Sequence, residues 1–181
     1  GLETDEGYRA DTTADVLGKL RAAFTKDGSV TAGNASQISD GAAAVIVMSE
    51  EKAKALGLKV LAKIVAYGTA GVEPKDLFIA PKVGMEQLLA KTGMKVSDID
   101  LFEVNEAFAA QVLADTKPLG IPHDKLNVCG GGVALGHPIG ASGARVLVTL
   151  LSALQQRQLR YGVASLCLGG GNAIALLVER I

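Results

Sequence analysis

From residue 42 onward the chain alternates short apolar runs with helical segments, most of them closed by a glycine. This alternation constrains the fold more than any other feature. "AAAVIVMS", residues 42–49, is a continuous apolar run of the kind found in strands buried on both faces. "SEEKAKALG" predicts a helix with Ser49 as N-cap, acids in its first turn and Gly57 as its stop. "KVLAKIVAYGTAGV" reads as a long strand and "APKVGMEQLLAKTG" as a helix stopped by Gly93. "DIDLFEV" reads as a strand and "NEAFAAQVLADTKPLG" as the helix behind it. "KLNVCGGGVALGHPIG" reads as a glycine-studded strand and turn, and "SGARVLVTLLSALQQRQL" as a helix. "YGVASLCLGGGNAIALLVERI" closes the chain as a strand pair around a three-glycine turn. Strands alternating with helices in this way predict an α/β domain with a mixed sheet.

The first 37 residues differ in texture. They are polar, and only "DTTADVLGKLRAAF" is periodic, predicting a short helix capped by Thr12 or Thr13. "TKDGSVTAGNASQISDG" is loop. Gly1 opens a polar stretch with no apolar lead-in, which reads as an internal start. The helix after Ser142 carries Ala144, Val146, Leu147, Val148, Leu150, Leu151, Ala153 and Leu154 on nearly every face. A helix apolar all round is buried all round. The expectation is a helical layer trapped between two sheets, the second supplied by a partner or by a missing half.

Composition narrows the function classes. Lys and Arg number 18 against 19 Asp and Glu, so there is no electrostatic footprint for nucleic acid. No run approaches the roughly 18 apolar residues of a membrane span. Two cysteines, Cys129 and Cys167, are expected as reduced thiols in a cytoplasmic setting. No His, Cys and carboxylate spacing suits a metal, and neither GxGxxG nor a P-loop is present. Six of the 22 glycines lie between Gly130 and Gly143, which points to turns and close backbone approach.

Four places carry side chains suited to chemistry. His137 precedes Pro138 in a glycine loop before a helix, and is either a base or a histidine bonded within a turn. Cys167 ends an apolar strand before three glycines. Cys129 has the same local setting, so neither thiol is preferred on local grounds. Asn105 starts "NEAFA" at a strand-to-helix junction, where a plain N-cap is the simple alternative, and Glu106 suits the helix dipole. "TAGNAS", residues 31–36, is a small-residue loop that suits a narrow ligand or no ligand. His123, in a proline-bounded loop, is expected at the surface.

"TAGNASQISDGAAA", "NEAFA", "NVCGGGVALGHPIGASGAR" and "CLGGGNA", in this order, resemble the C-terminal half of a thiolase. The resemblance runs from about residue 5 to the end. It implies a layered αβαβα arrangement, with residues 1–37 as the remainder of a loop domain and 38–181 as the C-terminal domain. It also implies an acetyl-CoA acetyltransferase working by Claisen condensation or thiolysis, with coenzyme A thioesters as substrates and no cofactor. The nucleophilic cysteine of the family lies in an N-terminal half, so activity is expected only with that half. A homodimer or homotetramer of the complete unit is implied as well.

The resemblance assigns residues in turn. His137 activates the nucleophile and helps form an oxyanion hole, in which Asn105 holds a water. Cys167 is the acid–base that handles the α-proton of the second acetyl-CoA, its pKa lowered by nearby amides and imidazole. The N–H of Gly169 serves a second oxyanion hole. Ser36, with Ala32 and Gly33 of its loop, contacts the pantetheine, Arg9 lies near the adenine, and Phe108 lines the acyl pocket. Two features depart from the family: Cys129 stands where many members have Asn, and "GGGNA" replaces a longer glycine turn. A longer-chain 3-ketoacyl-CoA thiolase and a non-catalytic CoA-binding subunit are the competing readings. A ketoacyl synthase has His or Asn where Cys167 stands.

Overall fold

The computed structural model describes residues 3–5, 7 and 9–181, and Gly1 lies outside them. Its helices are α1 (Ala14–Gly18), α2 (Glu50–Ala55), α3 (Ala80–Thr92), α4 (Ala109–Leu119), α5 (Gly132–Leu135) and α6 (Ser142–Gln156). Its strands are β1 (Ala62–Gly71), β2 (Leu101–Val104), β3 (Tyr161–Leu168) and β4 (Asn172–Arg180). The four strands form one sheet in the order β1-β4-β3-β2. β2 runs parallel to β3, while β4 is antiparallel to both β1 and β3, so the sheet is mixed as expected.

Period-two alternation divides the core between the two sheet faces. Phe102, Val163 and Leu177 point to one side and pack with Met85 and Leu88 of α3 and Val112 of α4. Their sequence neighbours Leu101, Ala164 and Val178 point to the other side, against Val146, Leu150, Ala153 and Leu154 of α6. The result is three layers: α3 with α4, the sheet, and α6. Each fully buried Leu or Met here contributes about 1.5–3 kcal/mol by leaving water.

Several local signals act as read. Thr13 caps α1 through Val16 N–H, and Ser49 caps α2 through Lys52 N–H. α3 ends at Gly93. The β3–β4 hairpin turns on Gly169–Gly171. Gly171 has φ of +89° and packs onto the backbone at Val72, whose N–H bonds the Gly171 carbonyl at 2.7 Å. A Cβ there would meet the Val72 carbonyl and sit in a left-handed conformation, so only glycine fits both constraints.

Other expectations need correction. Residues 42–49 form no strand: Ile46 is 87% and Val47 66% exposed. A buried strand needs ladder partners and two covering faces, and none of the described strands pairs with this run. Asn105 is not an N-cap. It continues the line of β2, donating its N–H to Ser165 O at 2.9 Å, and α4 begins only after Phe108. Glu106 accordingly lies outside the helix. Residues 125–140 form no regular strand either: Leu126 makes a single bridge to Phe102. The side chain of Asn127 then accepts Val104 N–H and donates to Val104 O, completing the edge of β2. α6 is buried on its sheet side alone. Leu147 and Leu151 are half-buried and Val148 is exposed on its outer side, because only one sheet of this chain packs against it.

Candidate active site

The carboxyl ends of the parallel pair β2 and β3 hold the site, the place where open α/β sheets present ligands. Asn105 extends one end and Cys167 lies at the other. The backbone bond from Asn105 to Ser165 ties the two ends together two residues short of the thiol. Asn105 is fully buried, and its Nδ2 lies 3.4 Å from His137 Nε2. Its Oδ1 is buried without a protein partner. Asn105 and His137, from two separate motifs, therefore meet at one end of the sheet, and Cys167 lies near the same end of the neighbouring strand.

His137 is held from several sides. Its N–H bonds Gln37 O at 3.0 Å, and its Nδ1 lies 2.6 Å from Ser142 Oγ at the start of α6. Gly136 precedes it with φ of +92° and passes so close to Ser39 that no Cβ fits there. Burial, and next the nearby Arg145 guanidinium, hold the imidazole below its ordinary pKa. A neutral imidazole at pH 7 is what a base requires. Ser36, Gln37, Ile38, Ser39, His137 and Ile139 line a cavity of about 220 Å³. Ser36 reaches this place because its N–H bonds Ala107 O at 3.0 Å, while Asn34 O accepts Ala109 N–H at 2.8 Å. The "TAGNAS" loop is thus clamped onto "NEAFA".

Glu106 braces the glycine loop from below. Its carboxylate accepts Asn127 Nδ2 and Val133 N–H, at 3.0 and 3.1 Å. Cys129 is exposed beside that loop and Cys167 is half-buried, both as free thiols. The expectation of a lowered Cys167 pKa is reversed. Burial pushes the thiol up, with Asp115 adding to it, and only its own backbone N–H opposes them. Asp115, on α4, is fully buried; it accepts Lys82 N–H at the start of α3 and Gln111 Nε2. It thereby supplies α3 with the N-terminal acceptor that Ile79 cannot.

The remaining assigned residues are placed as follows. Gly169 sits exposed in the β3–β4 turn, with Asn172 Nδ2 bonded to its carbonyl at 3.2 Å. Phe108 makes edge-to-face contacts with Phe24 and Phe78, at centroid distances of 5.7 and 5.2 Å. Gly33 lies under Leu17 and Leu20, and Ala32 is exposed in the same turn. Arg9 is exposed, with no contact to the residues above among its described bonds. His123 is at the surface, as expected. Among the described residues no group of three or more His, Cys, Asp or Glu side chains is placed to hold a metal ion. None of their helices is long and apolar enough to cross a membrane.

Sequence reasoning passed over a buried ion pair below the site. Glu103 of β2 is 1% exposed and lies 3.7 Å from the Arg145 guanidinium of α6. Burial pushes Glu103 up to about 7, Arg145 opposes the shift and Glu106 adds to it. Burial likewise lifts Asp115 to about 6. An acid whose folded pKa is raised holds protons that the unfolded chain has released. Its stabilising contribution is therefore full below about pH 4 and is lost as pH rises through 6 to 7. Thermal melts of this chain between pH 5 and 7 are expected to show a falling Tm, with a shallower slope in Glu103→Gln. A Tm that rises across that window would contradict the assignment.

A layered α/β sheet with its polar cluster at the ends of parallel strands defines a class of ligand-binding domain, and comparison with known proteins makes it specific. The family model "Thiolase, C-terminal domain" matches residues 58–180, and "Thiolase, N-terminal domain" matches residues 2–51. The chain belongs to the thiolase family. It is 55% identical over 180 residues to an acetyl-CoA acetyltransferase of Allochromatium vinosum, covering 99% of this chain and 46% of the relative. The crystal structure of the Bacillus anthracis acetyl-CoA acetyltransferase superposes with a TM-score of 0.94 at 53% identity, over 98% of this chain and 45% of that one. Human mitochondrial 3-ketoacyl-CoA thiolase, solved in complex with CoA, gives 0.89 at 39% identity, over 99% and 46%. The chain thus spans about half the length of the curated relatives it matches. The exposed run at 42–49 falls inside the N-terminal family match, apart from the sheet that the C-terminal match contains.

Proposed function

We propose that this chain is the C-terminal part of an acetyl-CoA C-acetyltransferase that interconverts two acetyl-CoA with acetoacetyl-CoA and CoA. The observation that carries the reading is the contact of Asn105 with His137 beyond the end of β2, with Cys167 near the adjacent end of β3, in a chain over half identical to such enzymes. In thiolysis, His137 takes the proton of a cysteine supplied by an N-terminal half. The resulting thiolate attacks the 3-keto carbon, with Asn105 and His137 stabilising charge on its oxygen. The C2–C3 bond then breaks, and its electron pair forms the acetyl-CoA enolate. Cys167 gives its proton to the enolate carbon, and the acetyl group remains on the nucleophile. The Cys167 thiolate next takes the thiol proton of CoA, whose sulfur attacks the acetyl group. The leaving cysteine recovers its proton from His137. A thiol held protonated by burial suits a step that begins by donating.

The other assignments belong to the same reading. Ser36, Ala32 and Gly33 pass the pantetheine, Arg9 serves the adenine and Phe108 the acyl pocket. The Gly169 N–H serves the enolate oxygen. Residues 1–37 are the rest of a loop domain beside the site and 38–181 the C-terminal domain. The enzyme needs no cofactor or metal, since the thioester itself activates the α-proton. It works in the cytoplasm as a homodimer or homotetramer of the complete unit. Exposed Ile46, Val47 and Val148 support a second half that covers them, because isolated domains seldom leave such apolar surface open. Short substrates are favoured over longer 3-ketoacyl-CoA by the identities of 55% and 39% to the two kinds of relative.

The test is reconstitution. This chain, combined with a thiolase N-terminal half, is expected to cleave acetoacetyl-CoA on addition of CoA, and neither half is expected to do so alone. A stable complex that binds CoA without turnover would sink the catalytic reading and leave a CoA-binding subunit.

A further inference from the structure

We propose that Ser142 is the positioning residue that fixes His137 as its Nδ1–H tautomer and leaves Nε2 free to take a proton. The assignment rests on the reading of His137 as a base and goes beyond it by naming what makes it one. Ser142 is the first residue of α6 and is completely buried. Its Oγ lies 2.6 Å from His137 Nδ1 and donates to Pro138 O at 3.0 Å. A hydroxyl has a single proton to give. That proton goes to the Pro138 carbonyl, which can only accept. With that proton on Pro138 O, the same oxygen accepts toward the imidazole, which assigns the hydrogen to Nδ1. Nε2 is then a bare lone pair, and the atom it faces, Asn105 Nδ2 at 3.4 Å, is a donor. Both neighbours of the ring agree on one neutral tautomer.

A merely structural role fits less well. Helix serines often bond the carbonyl four residues back for want of anything better. Here the Pro138 carbonyl already accepts two backbone N–H groups, those of Ala141 at 2.8 Å and Ser142 at 2.9 Å. The hydroxyl is a third donor there, so the helix loses little without it. Removing that hydroxyl leaves one group without its partner, the Nδ1–H of His137. The geometry repeats the logic of a third residue orienting a catalytic imidazole, with an uncharged oxygen in place of a carboxylate. Being fully buried, Ser142 reaches the reaction only through the ring.

The chain holds two histidines, His123 and His137, so its tautomers can be resolved. Long-range ¹H–¹⁵N spectra of the ¹⁵N-histidine-labelled chain are expected to show Nδ1–H at His137, and a shift toward Nε2–H in Ser142→Ala. In the enzyme reconstituted with its N-terminal half, Ser142→Ala is expected to lower kcat about tenfold, the contribution of one neutral hydrogen bond, with KM for CoA unchanged. Ser142→Thr, which keeps the hydroxyl, restores both readouts. Wild-type His137 observed as Nε2–H overturns the proposal whatever the variants do. So does a Ser142→Ala enzyme with unaltered tautomer and kcat. A reconstituted wild type that lacks thiolysis counts against the thiolase reading, while the spectra still decide the role of Ser142.

Discussion

Cys167→Ser in the reconstituted enzyme is expected to abolish exchange of the acetyl-CoA methyl protons with D₂O and to lower turnover by about 10²–10⁴-fold. β3 carries the thiol to the end of the sheet, beside the segment that continues β2 into Asn105. Burial and Asp115 hold it protonated, so in the proposed mechanism it meets the enolate as a donor and becomes a base only after giving up its proton. A serine hydroxyl is a far weaker acid than a thiol. It donates less readily to carbon, and its alkoxide is scarcely populated for the return step. Acylation of the nucleophile by acetyl-CoA involves no α-proton, so a single-turnover acylation experiment should be nearly unaffected. Proton exchange at the wild-type rate would remove Cys167 from the chemistry. It would also favour the view that the motif survives without a catalytic task.

Much of this was legible in the residues, for identifiable reasons. The β3–β4 hairpin and the stop of α3 are set by local chemistry, a glycine turn and Gly93, which a sequence displays directly. The meeting of His137 and Asn105 at the sheet end that also carries Cys167 was legible only through the order of four motifs. Their spacing of 32 residues between Asn105 and His137 says nothing by itself about a 3.4 Å contact. The misreadings share a cause. The run at 42–49 has the composition of a buried strand, but burial depends on what lies opposite, and the chain's own sheet does not lie there. Asn105 has the composition of an N-cap, yet a bond to Ser165 O, 60 residues away, keeps its backbone extended. The raised Cys167 pKa follows first from the thiol's own burial and then from Asp115 on another element, neither of which a local pattern records. Ser142 was invisible for the same reason: a serine opening a helix looks like any other until its hydroxyl is seen against the imidazole.

His137→Ala separates from Cys167→Ser by the step at which the reaction stops, and the contrast tests the division of labour directly. The imidazole is neutral because burial and the Arg145 charge both disfavour its cation. The ring is tethered through Nδ1 to Ser142, and the residue's backbone N–H is bonded to Gln37 O, so Nε2 has little freedom. In the proposed mechanism this group acts first, on the thiol of the nucleophile from the other half. Its loss is expected to slow acylation of the reconstituted enzyme by about 10²–10⁴-fold, the range of a positioned general base. Thiolysis should fall at least as far, since every later step needs the acyl-enzyme. Rapid alkylation of the nucleophilic cysteine by iodoacetamide at pH 7 should slow in parallel, because the thiolate is the reactive form. The fold should be little changed, as His137 is only partly buried and contributes side-chain bonds to Asn105 and Ser142 alone. If His137→Ala acylates normally and fails only in proton exchange, the two residues have been assigned in the wrong order. The base for the nucleophile must then come from the other half of the enzyme.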